Sequence, residues 1–148
     1  MERPGMSVKD WMRSPVHIVK PRDGIDHARN LCEHNRVNQL PVLAAGQLLG
    51  IVTDRDLRDA FPSVLEEAEH PTRVRRELAG IHVEDVMTPN VLTVLGSDPI
   101  ERAATIMRRE RIGALPVMHD GKLVGILTRS DLLAALVALA GACRATAH

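Results

Sequence analysis

The chain has 148 residues, 45% of them hydrophobic, which suits one compact domain or two small units sharing a core and is too short for a solenoid array. Its 19 Lys and Arg balance 19 Asp and Glu, so no net field draws polyanions. With Trp11, Phe61 and no tyrosine there is almost no platform for stacking bases, which argues against nucleic acid as a partner and leaves the core to Val, Ile, Leu, Ala and Met.

The N-terminal Met-Glu-Arg-Pro-Gly lacks the apolar run of a secretion signal. His17-Ile-Val19, a β-branched run ahead of turn formers, predicts a strand. Ile25, Ala28, Leu31 and Cys32 then recur at helical spacing. Gln39 to Leu43 reads as a buried strand, Gly46 as a turn, and Leu48 to Thr53 as a return strand. That return strand is apolar on successive residues, so both of its faces should be covered. A helix from about Asp54 to Phe61 completes a β-α-β-β-α order. Pro62 to His82 follows, rich in Glu and Arg and broken at His70-Pro71. There Val74 and Leu78, four apart behind Thr72 as a cap, predict a short amphipathic helix.

From Val83 the order repeats. An offset of 75 aligns residues 8–61 with 83–136 without a gap, with 20 identities in 54 positions. Val8-Lys-Asp-Trp-Met12 faces Val83-Glu-Asp-Val-Met87, Leu40-Pro-Val42 faces Leu115-Pro-Val117, and Leu48-Leu-Gly-Ile-Val-Thr53 faces Leu123-Val-Gly-Ile-Leu-Thr128. In this copy Leu92-Thr-Val94 predicts the strand, and Ile100, Ala103, Ala104 and Met107 mark the helix. Asp98 would cap that helix, with Pro99 at its first position. The hairpin is Ala114 to Met118, Asp120-Gly121, and Leu123 to Thr128. A helix from Arg129 to about Ala140 closes the copy. The organisation is therefore a first unit over 1–61, a linker with a short helix over 62–82, a second unit over 83–140 and a tail over 141–148. One copy of ~60 residues buries too little surface to stand comfortably alone. The expectation is an α/β (α+β) fold of two units packed about a pseudo-twofold axis, with function in their shared interface.

The sharpest local pattern is Gly-h-h-Thr-x-x-Asp, with h aliphatic, found at Gly50 to Asp56 and Gly125 to Asp131 where a strand meets a helix. Thr-x-x-acid before an apolar helix is a capping box with Asp in place of Glu or Gln. The same parts suit a nucleotide: helix N–H groups and a hydroxyl for phosphate, and a carboxylate for ribose hydroxyls. Gly50 and Gly125 are costly inside strands unless another group approaches the backbone closely. Seven histidines invite a metal, but neither clustered Cys nor a His-x-x-x-His pair is present. No paired acid and base or nucleophile signature points to an enzyme. Cys32 and Cys143 fit no disulfide framework or metal spacing, which favours a reducing cytoplasm. The longest apolar stretch, residues 132–143, falls well short of the ~20 residues that span a bilayer. The final helix is apolar almost all round, so it packs within the chain or pairs with a second copy.

The twice-repeated unit, with its Asp-h-Met opening, Leu-Pro-Val strand and Gly-h-h-Thr-x-x-Asp close, resembles a tandem pair of CBS domains, the Bateman module, over residues 8–140. The Thr53-Asp-Arg-Asp-Leu, Phe61-Pro-Ser63 and Leu139-Ala-Gly-Ala142 segments are similar to the CBS pair of acetoin-utilisation AcuB-type proteins, without that group's further C-terminal domain. The resemblance implies a non-enzymatic regulatory module that homodimerises and reports ligand level to a regulated partner. Its ligands would be AMP, ADP, ATP or S-adenosylmethionine, held in two clefts between the units; no cofactor is otherwise required. One cleft would use Thr53, Arg55 and Asp56 with Pro89, Asn90, Val91, Leu92, Ile112, Gly113, Ala114 and Leu115. The other would use Thr128, Arg129 and Asp131 with Ser14, Pro15, Val16, His17, Val37, Asn38, Gln39 and Leu40. AMP-binding members carry basic residues just before Leu-Pro-Val, where this chain has Asn38-Gln39 and Gly113-Ala114. Phosphate would then rest on Arg55, Arg129, Arg13 or His17. Gly113-Ala114 leaves room for a purine, so the Thr53/Asp56 cleft ranks first. The alternative is an interaction module whose clefts bind nothing and whose Thr-x-x-Asp motifs only cap helices.

Overall fold

The first helix and the hairpin of the first repeat are set by local signals. A computed structural model describes residues 5–146. Helix α1 (Ile25–Asn35) buries Ile25, Ala28 and Cys32 and stops at Arg36, whose left-handed backbone returns its N–H to the Cys32 carbonyl. Strands β1 (Gln39–Ala44) and β2 (Gln47–Thr53) form an antiparallel hairpin. Its two-residue turn, Ala45-Gly46, has φ of 49° and 77°, as a tight hairpin turn needs. Gly50, Ile51 and Val52 are buried in succession, so the second half of β2 is covered on both faces as its apolar run predicts. Helices α2 (Asp54–Ala60), α3 (Val64–Glu69), α4 (Pro71–Ala79) and α5 (Val83–Val86) follow. The short strand β3 (Thr88–Pro89) then returns to β2 and completes a three-stranded sheet, pairing Gly50 with Pro89 and Ile51 with Thr88.

The second repeat gives β4 (Val94–Leu95), α6 (Ile100–Glu110), β5 (Ala114–His119), β6 (Lys122–Thr128) and α7 (Arg129–Thr146). Here β4 runs parallel to β5, and β5 and β6 form a hairpin closed by Asp120-Gly121 at φ 49° and 76°.

The chain divides into two compact units, one over His17–Val91 and the other combining the segment up to Val16 with Leu92 onward. These spatial units are offset from the sequence repeats, because the opening residues of each repeat join the core of the other. Val8, in a 3-10 turn over Val8–Asp10, is fully buried among Val94, Leu115, Val117 and Leu127. Val83 of α5 is fully buried among Val19, Leu40, Val52 and Leu57, and its N–H donates to the Asp23 carbonyl at 2.8 Å.

Several local expectations change. His17 to Val19 is not a strand: only Val19 is bridged, to Val42, because a turn over Lys20–Asp23 diverts the chain at once. The strand expected at Leu92 to Val94 begins at Val94 and extends to Leu95. Asp98 does not cap α6; its carboxylate accepts the Leu95 N–H at 2.8 Å, and Pro99 takes the N-cap position. Thr72 lies inside α4 rather than capping it, since Pro71 with its fixed φ occupies the first helical position; Val74 is buried as expected. Helix α3 is an addition to the linker, where the sequence predicts only the helix of Val74 and Leu78; a Ser63–Glu66 capping box starts it. Helix α7 continues past Ala140 through Gly141, because one glycine among helix formers weakens the hydrogen-bond ladder without breaking it. Among the described residues, no helix is long and apolar enough to cross a membrane.

Candidate functional site

Strand β2 delivers Thr53 to the start of α2 with extended backbone, and a reciprocal pair of bonds forms there. Thr53 Oγ1 accepts the Asp56 N–H at 3.2 Å, and Asp56 Oδ2 accepts the Thr53 N–H at 2.9 Å. Strand β6 delivers Thr128 to α7 in the same way. Its N–H and hydroxyl donate to Asp131 Oδ2 at 2.8 and 3.0 Å, and its Oγ1 accepts the Asp131 N–H at 3.4 Å. Both Thr-x-x-Asp motifs are therefore capping boxes, as their spacing predicts.

The two carboxylates differ in what else they touch. Asp56 is half-buried, and among the described residues its Oδ1 accepts no hydrogen bond. Asp131 is 8% exposed, and its Oδ1 accepts the Arg13 Nε–H at 3.3 Å. Arg13 is held beside β6 by a two-way backbone bridge to Ile126. The position 75 residues on from Arg13 is Thr88, in β3. The sequence points to Arg13 only as a phosphate ligand; the signal for its pairing is that the repeats differ at this position.

The glycines answer a close approach, as expected, but the approaching group is the chain itself. A Cβ on Gly50 would lie 2.5 Å from the Thr88 carbonyl oxygen, and one on Gly125 would meet Met12 Sδ at 2.5 Å and the Arg13 carbonyl oxygen at 3.0 Å. These contacts account for both glycines without a ligand.

Of the residues assigned to the first cleft, Thr53, Arg55, Asp56, Pro89, Asn90 and Val91 belong to the His17–Val91 unit, while Leu92 and Ile112 to Leu115 belong to the other. Of the second set, Thr128, Arg129, Asp131, Ser14, Pro15 and Val16 share a unit, and His17 and Val37 to Leu40 lie in the first. Within each unit the closing motif meets the segment ahead of its own Leu-Pro-Val strand: Asp54 N–H donates to the Asn38 carbonyl at 2.7 Å, and Arg129 N–H to that of Gly113 at 3.1 Å. Leu40 and Leu115 are fully buried, with their side chains in the two cores. Arg55 and Arg129 are exposed, and among the described residues neither forms an ion pair.

Away from the motifs, α6 and α7 enclose an apolar groove of about 760 Å³ lined by Ile100, Met107, Leu132, Leu136 and Leu139, with Arg129 at its edge. Helix α7 buries Ala135 against the core but leaves Leu133, Leu136 and Val137 exposed, so only one side of this apolar helix is satisfied within the chain. Burial raises the Cys32 thiol to about 11, with Asp54 and Glu33 adding to the effect. Among the described residues no group of three His, Cys, Asp or Glu side chains could hold a metal ion.

The profile of the CBS domain matches residues 8–63 and 83–138. A CBS domain-containing protein of Dictyostelium discoideum is 35% identical over 133 residues, covering 88% of this chain and 90% of that protein. The crystal structure of CBSX2 in complex with AMP, a protein of Arabidopsis thaliana, is 34% identical with a TM-score of 0.72 and covers 90% of this chain and 97% of the crystallised one. The chain spans 63% of full-length chloroplastic CBSX2. A putative acetoin utilisation protein, AcuB, from Vibrio cholerae is similar at 28% identity and a TM-score of 0.73, over 92% of this chain and 93% of that one.

Proposed function

The chain belongs to the CBS-domain family, whose domains are regulatory rather than catalytic modules, and on that premise we propose that it senses an adenine nucleotide. The observation that carries this reading is the Asp56 carboxylate. One of its oxygens holds the cap of α2 while the other takes no bond among the described residues, which leaves it able to accept a ribose hydroxyl. Arg55, exposed and in no ion pair among the described residues, supplies a cation for phosphate. The AMP complex of CBSX2, at 34% identity, supports the adenine assignment. The exposed apolar side of α7 supports a homodimer, and binding would be read out by a protein that this module regulates. Two cysteines at no disulfide spacing favour the cytoplasm.

The experiment is a thermal-shift panel with AMP, ADP, ATP, S-adenosylmethionine and NAD. A nucleotide at 100 times its Kd adds ~2.7 kcal/mol to stability, an easily visible shift. Asp56→Ala should abolish the shift while leaving the circular dichroism of the fold unchanged. If no compound moves the melting point at millimolar concentration, the chain is instead an interaction module whose Thr-x-x-Asp motifs only cap helices.

A further inference from the structure

We propose that Arg13 occupies the second closing motif from within the chain, so that one nucleotide binds per chain, at Asp56, and Asp131 takes none. This rests on the adenine-nucleotide reading above. Both oxygens of Asp131 are already engaged: Thr128 holds Oδ2 through both its N–H and its hydroxyl, and Arg13 holds Oδ1 through Nε at 3.3 Å. The carboxylate is almost entirely buried, so a ribose could reach Oδ1 only by displacing the guanidinium. That exchange would replace a charge-assisted bond with a neutral one and leave a buried anion without its cation. The backbone bridge to Ile126 on both its N–H and C=O keeps Arg13 beside β6. At the other motif the equivalent residue is Thr88, which makes no bond to Asp56 among the described residues, and Asp56 Oδ1 stays open.

The test is calorimetric titration of the full chain with AMP. Wild type should bind one equivalent and Arg13→Thr, which installs the residue the other repeat carries, should bind two. Asp56→Ala should bind none, and adding Arg13→Thr to it should restore one. The exposed reciprocal change, Thr88→Arg, should weaken binding by wild type at least tenfold, and this arm holds even if Arg13→Thr fails to fold. Two equivalents bound by wild type, or one by a folded Arg13→Thr, would overturn the role of Arg13 and leave the nucleotide reading intact. No binding by wild type or any variant would overturn both.

Discussion

The Thr88 carbonyl lies so close to Gly50 across the β2–β3 pair that a side chain on Gly50 would collide with it, 2.5 Å from a Cβ. The colliding atom is backbone in a two-residue strand, so relief means loss of the pairing. Gly50→Ala is expected to destabilise the protein by about 2–3 kcal/mol, read from urea denaturation. Gly125→Ala first meets the flexible Met12 thioether and should cost less. Equal costs for the two variants would contradict the contact argument.

Thr53→Ala removes the hydroxyl that caps α2 and should cost about 1 kcal/mol, with Thr53→Ser close to neutral. Thr128→Ala should cost more, because that hydroxyl also donates to the buried Asp131. Denaturation midpoints at constant slope decide the order. If the Thr128 variant is the milder one, its hydroxyl bond contributes nothing.

Val8 precedes its core partner Val94 by more than a whole repeat, yet it is fully buried in the same core. Val8→Ala deletes two methyl groups from that core and should cost about 2 kcal/mol. Amide exchange should accelerate in β5 and β6 more than in β1 and β2. Faster exchange confined to β1 and β2 would contradict the placement of Val8.

Cys32 binds its proton more tightly in the folded state, at about 11, than at its ordinary value of 9.0. The unfolded chain therefore loses that proton first, and stability present below pH 9 is lost as the pH rises towards about 11. Cys32→Ala should flatten this part of the stability profile, though the variant is less stable at neutral pH. An unchanged slope between pH 9 and 11 would remove Cys32 as its source.

Leu133 and Leu136 are 61% and 62% exposed on α7, beside the groove against α6. Leu136→Glu places a charge on that apolar surface and should convert a homodimer to monomer in sedimentation without lowering the melting temperature of the monomer. A wild-type monomer at high micromolar concentration would leave this face without the proposed occupant.

Much of this molecule is legible over short stretches of sequence. Helical spacing at Ile25, Ala28 and Cys32 marks α1, Asp120-Gly121 marks a hairpin turn, and Thr-x-x-Asp marks two caps, because each depends on groups within about four residues of one another. The repeat extends that legibility to the order of elements in both halves and to the CBS family itself. Tertiary structure decided the rest. Only the path of the chain shows that Val8 and Val83 enter each other's repeat, that Asp98 serves a turn instead of α6, and that the two Asp motifs are unequal. Arg13 and Asp131 are 118 residues apart, and no local pattern records which of two matching strands an arginine will cross. The sequence by itself determined two copies of one unit with a capped carboxylate in each. The fold decided that one carboxylate is already paired and the other is open, because burial and a crossing segment act on the two copies differently.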